Sequence, residues 1–196
     1  MAFDALSRDS DDDLLALYAA GDRLAARVLA ERLTPRSLGY AMRLLGGDRA
    51  EAEDVTQEAM LRLWRIAPEW RRGEAQVSTW LYRVVTNLCT DRQRRLARHA
   101  RPMGDDLPDV ADDRPDADAG LVQADRMAAL NAALAALPPR QREAVVLRHI
   151  EGLPNPEISQ ILGIGVEAVE SLTARGKRAL AATLETQRDA LGYEES

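Results

Sequence analysis

The chain has 196 residues, enough for two small domains each with a modest core, and its 46% hydrophobic content is that of a soluble globular protein. One cysteine (Cys89) and two histidines (His99 and His149) exclude an internal disulfide and a zinc cluster, so no structural metal and no cofactor are expected. A net charge of −6 argues against nucleic acid only until its distribution is read, because local balance sets what a surface attracts.

Residues 1–10 read as an acidic leader. The stretch Met1 to Asp13 has no apolar core, the pattern of neither a signal nor a transit peptide, and no apolar run approaches a membrane span. A cytoplasmic protein without membrane insertion is expected. Abundant Ala, Leu, Arg and Glu favour helix, so the expected fold is all-α.

Residues 11–101 form the first predicted domain. Ser10 to Asp13 caps a helix carrying Leu14, Leu15, Leu17 and Tyr18, and Gly21-Asp22 breaks it and caps the next, with Leu24, Val28 and Leu29. Thr34-Pro35 predicts a fresh helix start, with Leu38, Met42 and Leu45 on one face and Gly46-Gly47 at its end. Asp48 and Glu51 have capping-box spacing at the head of a helix through Ile66, with Val55, Ala59, Leu63 and Ile66 inward. The stripe Asp54, Gln57, Glu58 and Leu61 lies away from that core. Its acidic and apolar mixture suits docking on another protein's helices, or else is a solvated face.

After a loop from Pro68 to Val77, Ser78 or Thr79 caps a helix whose core face is Leu81, Val84, Val85 and Leu88. Arg83, Asn87, Asp91, Arg94 and Arg98 lie opposite. From Trp70 to Arg101 eight arginines face two acidic residues, a net of +6. All three tryptophans (64, 70 and 80) fall in or beside this segment, although aromatics are 4% of the chain. Rings plus arginines suit unstacked single-stranded DNA, where bases need a flat partner and phosphates a charge; the bland alternative is core rings beside a solvated cationic face.

Residues 102–120 read as a flexible linker: seven aspartates stand between Gly104 and Asp118 against Arg114, with too little apolar surface to repay ordering. The second predicted domain spans 121–185, followed by a tail, 186–196. Met127, Leu130, Leu134 and Leu137 mark a helix stopped by Pro138-Pro139, and a second runs from Arg140 to Glu151, closed by Gly152. Asn155-Pro156 caps a short helix with Ile158, Ile161 and Leu162, Gly163-Ile164-Gly165 turns, and a last helix starts at Val166. This is a helix-turn-helix pattern, an ordinary helical hairpin being the alternative. As a DNA reader it would present Glu167, Glu170, Ser171, Ala174, Arg175 and Arg178 to the major groove, with Arg148 and Lys177 beside them.

Three segments together resemble a family. Asp54-Val55-Thr56-Gln57-Glu58-Ala59-Met60-Leu61-Arg62-Leu63-Trp64, the run Ser78-Thr79-Trp80-Leu81-Tyr82-Arg83-Val84-Val85-Thr86-Asn87-Leu88 and the closing helix-turn-helix are similar to conserved regions two and four of extracytoplasmic-function sigma factors, in the sigma-70 family. The resemblance implies that Asp54, Gln57, Glu58 and Leu61 grip core RNA polymerase. It implies that the loop Arg71 to Ser78, with Arg72, Trp80, Arg83, Asn87 and Arg94, holds a flipped base of the minus-ten element after it leaves the stack. It gives Arg148 and the helix from Val166 to the minus-thirty-five element and an anti-sigma protein as a further partner; the acidic linker, mimicking nucleic acid, is expected to lie in a basic polymerase channel. The chain departs from many relatives in carrying Glu170-Ser171-Leu172 where they have a basic residue, Ser and Arg. Glutamate accepts from cytosine N4, so Glu170 or Glu167 is expected to read a C. The rival is a dimeric helix-turn-helix repressor. No enzyme is expected, because the carboxylates have no nearby His or Cys and no Glu-x-x-His motif, phosphate loop or nucleophile elbow is present.

Overall fold

The computed structural model describes residues 6–99 and 118–185, most of them helical and none of them in a strand. The first group holds α1 (Asp11–Ala19), α2 (Arg23–Leu44), α3 (Arg49–Ile66), a 3-10 turn (Ala67–Glu69) and α4 (Val77–His99). The second holds α5 (Asp118–Ala135), α6 (Pro139–Val145) running into a π-helical turn (Val146–Ile150), α7 (Asn155–Leu162) and α8 (Val166–Glu185). The linker expected over 102–120 lies outside the described residues up to 117, and its last three positions are already helix. The tail, 186–196, and the leader up to residue 5 are also outside them.

Helix starts follow the local chemistry. Ser10 Oγ accepts from the Asp13 amide at 3.1 Å, and Asp22 Oδ1 accepts from the Leu24 and Ala25 amides at 2.8 and 3.2 Å. Asp48 Oδ1 takes the Glu51 amide at 3.0 Å, but the Glu51 carboxylate turns to Arg92 instead of closing the box. The start expected at Thr34-Pro35 is absent: α2 runs through Pro35 without interruption. Pro35 and Glu31, whose carbonyl loses its partner, are both exposed, while Leu33, Ser37, Tyr40 and Ala41 are buried around them. Burial on both sides of the proline outweighs the lost bond. Likewise α4 begins at Val77, one turn inside which Thr79 is buried and is no cap. Asn155 is the first residue of α7, not its cap.

The first core gathers Leu14, Leu15, Leu29, Val55, Leu63, Val77 and Val85, all fully buried, each worth about 2–3 kcal/mol relative to exposure. Tyr40 is fully buried edge-on to Tyr82, ring centres 5.1 Å apart, and its hydroxyl lies 2.9 Å from Thr86 Oγ1. Burial pushes the Tyr40 hydroxyl well above its ordinary pKa. Leu134, Leu147, Ile158 and Val169 form the second core.

The two cores meet. Helix α7 packs on α4, and α5 and α6 pack on α2. Arg142 on α6 is buried and donates to Leu134 O (2.8 Å) and Ala135 O at the end of α5, to Leu137 O (3.3 Å) just beyond it, and to Leu44 O (2.6 Å) at the end of α2. One guanidinium thus serves the negative C-terminal ends of helices from both halves. Gln93 donates to the same Leu44 carbonyl at 2.7 Å. Tyr82 donates to Glu151 at 2.5 Å, and Arg43 reaches Glu151 at 3.7 Å. Cys89 is buried beneath this seam beside Thr90, Pro139, Arg142 and Glu143, and burial pushes its thiol up to about 12.

Helix α8 crosses α6 at Gly176. A β-carbon there would stand 2.6 Å from Val145 Cγ2 and 3.2 Å from Gln141 O. Gly176→Ala is therefore expected to destabilise the second half by about 1–2 kcal/mol, overpacking outweighing the better helix former, read as a lower thermal midpoint.

Candidate functional site

Three exposed faces carry the predicted residues. On α3, Asp54, Gln57 and Leu61 are exposed and Glu58 is half-exposed. Gln57 and Leu61 line a groove of about 320 Å³ between α2 and α3 with Thr34, Leu38, Glu53, Thr56, Met60 and Trp64. Leu61, 42% exposed, stands at its lip. Asp54 and Glu58 flank the groove and are already paired: Asp54 with Arg92 at 3.7 Å, Glu58 with Arg62 at 2.8 Å. The Arg62 hydrogen bond holds the Glu58 carboxyl below its ordinary range. These exposed pairs are weak enough to exchange for a partner's cations. The sequence reading put Leu38 on an apolar helix face and Trp64 beside the basic segment, and nothing in it joined them with Met60 in a groove, because a helical period that fits a groove wall also fits a core.

On α4, Arg83, Asn87, Asp91, Arg94 and Arg98 are exposed along one side and Trp80 is half-buried at its head. Arg71 and Arg72 are exposed on the preceding loop, where Gly73 takes a left-handed φ of +85°. Trp70 and Trp80 meet edge to face, ring centres 6.1 Å apart. Trp64 does not join them. It packs on Tyr18 at 4.7 Å and lines the α3 groove, so the three tryptophans divide between two faces. Arg92 also leaves the basic patch, turning to Glu51 and Asp54 on α3, and Arg101 lies outside the described residues. The opposite side of α4, Thr79, Tyr82, Thr86 and Cys89, is buried against α2 and the second half.

In the second half, Gly163 takes φ +65° and Ser159 Oγ donates to Ile164 O at 2.5 Å, closing the turn between α7 and α8. Ile158, Leu162 and Val169 are buried between the two helices. Glu167, Glu170, Ser171, Ala174, Arg175 and Arg178 are all exposed on one side of α8, with Arg148 exposed in the π turn and donating to Leu153 O at 3.0 Å. Asn155 Nδ2 approaches Glu170 at 3.4 Å. Leu172 is half-buried and packs against the core, so its apolar character serves packing. Of the two positions at which the resemblance leads one to expect a cation, Glu170 stands on the exposed side of α8 and Leu172 does not.

Family models match residues 29–99 as Sigma-70 region 2 and residues 127–180 as Sigma-70, region 4. The chain is similar to the ECF RNA polymerase sigma factor SigM of Mycobacterium tuberculosis, 37% identical over 175 residues that cover 89% of this chain and 85% of that protein. It is 38% identical to SigE of Mycolicibacterium smegmatis over 140 residues, 69% of this chain and 52% of that one. Among solved structures, CnrH in complex with the cytosolic domain of CnrY is similar at a TM-score of 0.65 and 27% identity, covering 91% of this chain and 99% of CnrH. With both regions matched in order and such a relative over most of its length, the chain belongs to the extracytoplasmic-function sigma factors of the sigma-70 family.

Proposed function

We propose that this sigma factor docks on core RNA polymerase through Asp54, Gln57, Glu58 and Leu61 and the groove beside them. Arg71, Arg72, Trp80, Arg83, Asn87 and Arg94 take the opened minus-ten strand, and Arg148 with Glu167, Glu170, Ser171, Ala174, Arg175 and Arg178 read the minus-thirty-five duplex. The observation that carries the reading is the exposed cationic side of α4 ending in the Trp70–Trp80 pair, which offers an unstacked base a ring and its phosphates a charge. Capture of the flipped base holds the strand open, and no covalent step is catalysed. The protein acts in the cytoplasm. No described helix is long and apolar enough to cross a membrane. CnrH was solved in complex with the cytosolic domain of CnrY, and we infer that this chain too binds a protein partner, an anti-sigma protein. A dimeric repressor is not favoured, because it gives no role to the region 2 match over residues 29–99.

The packed form reads at most one promoter element. Elements about 25 base pairs apart lie about 85 Å apart along B-DNA at 3.4 Å per pair. Helix α7 rests directly on α4, which leaves α8 within about two helix diameters, roughly 20 Å, of it. Engagement of polymerase and promoter therefore parts the two halves.

Transcription by core polymerase with and without the protein on a promoter library tests the reading. Promoter-specific start sites are expected only with it, and should disappear with Arg83→Ala; unchanged initiation would reject the assignment. In the same assay, Glu170→Gln or Glu167→Gln is expected to relax a cytosine preference in the upstream element by about 1–3 kcal/mol. Base preference unaltered at every upstream position sinks that contact.

A further inference from the structure

The region 2 match begins at residue 29, so α1 lies outside it, yet α1 is the element that anchors the loop assigned to the minus-ten base. Arg32 on α2 fixes the segment leading into α1. It donates to Ser7 O and Asp9 O at 3.0 Å each and pairs with Asp11 at 2.5 Å. Leu14 and Leu15, fully buried, hold the helix down. This orientation aims the first turn at the loop. Asp12 Oδ1 accepts from the Trp70 indole Nε1–H at 2.7 Å, and Asp13 pairs with Arg72 at 2.9 Å. Trp70 is half-buried, while Arg71, Arg72, Gly73 and Glu74 beyond it are exposed. The loop is therefore fixed at its root and open at its tip, and Trp70 in turn stands edge-on to Trp80.

We propose that Asp12 is a positioning residue for minus-ten strand capture: by holding the Trp70 indole nitrogen it sets the Trp70–Trp80 pair and the root of the Arg71 to Ser78 loop in the geometry that receives the unstacked base. This inference rests on the minus-ten assignment proposed above. The bond has two features suited to the task. An indole offers a single donor, so one acceptor fixes the rotation of the ring. A partly buried bond to a charged acceptor is stronger than a neutral one, so the ring is held before DNA arrives and little ordering is left to binding.

The test uses holoenzyme assembled from core polymerase and the full chain, with a fluorescein-labelled single-stranded oligonucleotide bearing the minus-ten sequence. Asp12→Ala is expected to weaken strand capture about tenfold, whereas Asp12→Asn, which keeps an acceptor oxygen and loses the charge, is expected to weaken it about threefold. Trp70→Phe, which deletes the N–H and keeps a ring, should match Asp12→Ala without disturbing α1, and so serves even if Asp12→Ala folds poorly. The double variant should bind no more weakly than either single one, because both remove the same bond. Affinity for core polymerase should not change in any of them. Multiplying losses in the double variant, or Trp70→Phe capturing the strand as well as wild type, overturn the proposal. Trp80→Ala and Arg83→Ala separate the two levels of failure: if they too leave capture intact, the minus-ten assignment itself has failed.

Discussion

Replacing Arg142 with methionine is expected to cost about 3–5 kcal/mol of unfolding free energy, the largest loss of any single substitution considered, measured by urea denaturation. Methionine keeps much of the stem's volume and removes the guanidinium. The carbonyls of Leu44, Leu134, Ala135 and Leu137 then lose a charged donor that they all share in a buried place. Burial already pulls the Arg142 pKa down, opposed by the neighbouring Glu143 carboxylate, so the cation is held there by its acceptors and that one charge. Because Leu44 belongs to α2 and the other three carbonyls to the end of α5 and the turn that follows it, the substitution should also uncouple the two halves. One cooperative transition should become two. Cys89 reports the same event chemically. Its thiol, buried under the seam and pushed up to about 12, should resist alkylation at pH 8 in the native protein and react at least about tenfold faster in Arg142→Met. A single sharp transition with an unreactive Cys89 in the variant would show that the seam does not depend on this guanidinium.

Leu61→Asp is expected to lower affinity for core polymerase by about 100-fold or more while leaving the unfolding midpoint unchanged, measured by equilibrium binding of labelled protein. The two halves of that expectation have different origins. Leu61 is 42% exposed at the lip of the α2–α3 groove, so its own fold loses little. A carboxylate there adds to Asp54 and Glu58 on the same stripe and must be desolvated by any partner that closes over the groove. Arg62→Ala provides the contrast: it frees Glu58 from a solvent-exposed pair and should change binding only slightly. Wild-type affinity in Leu61→Asp would remove the groove from the docking surface.

Much of the fold was legible because its signals are local. Ser10, Asp22 and Asp48 cap the helices that follow them, since a short polar side chain reaches amides two or three residues away whatever the rest of the chain does. The inward periods of α3 and α4 and the glycine turn at Gly163 are equally short-range, and the exposed stripes on α3, α4 and α8 follow from them. Errors arose where burial overrode a local preference. Thr34-Pro35 looks like a helix start and is the middle of α2, because the residues around it are packed on other helices.

The helical architecture, the order of the two matched regions and the residue types on each exposed face are therefore written in short-range patterns along the chain. Which distant groups meet depends on how the helices pack. Asp12 reaches Trp70 across 58 positions and Arg142 reaches Leu44 across 98, while Arg92 and Trp64 leave the basic patch and join α3. No period or spacing encodes such pairs. They arise when packed helices bring unsatisfied donors and acceptors within about 3 Å, and each bond forms because a polar group left unpaired at a buried seam would cost more than the order its partner imposes.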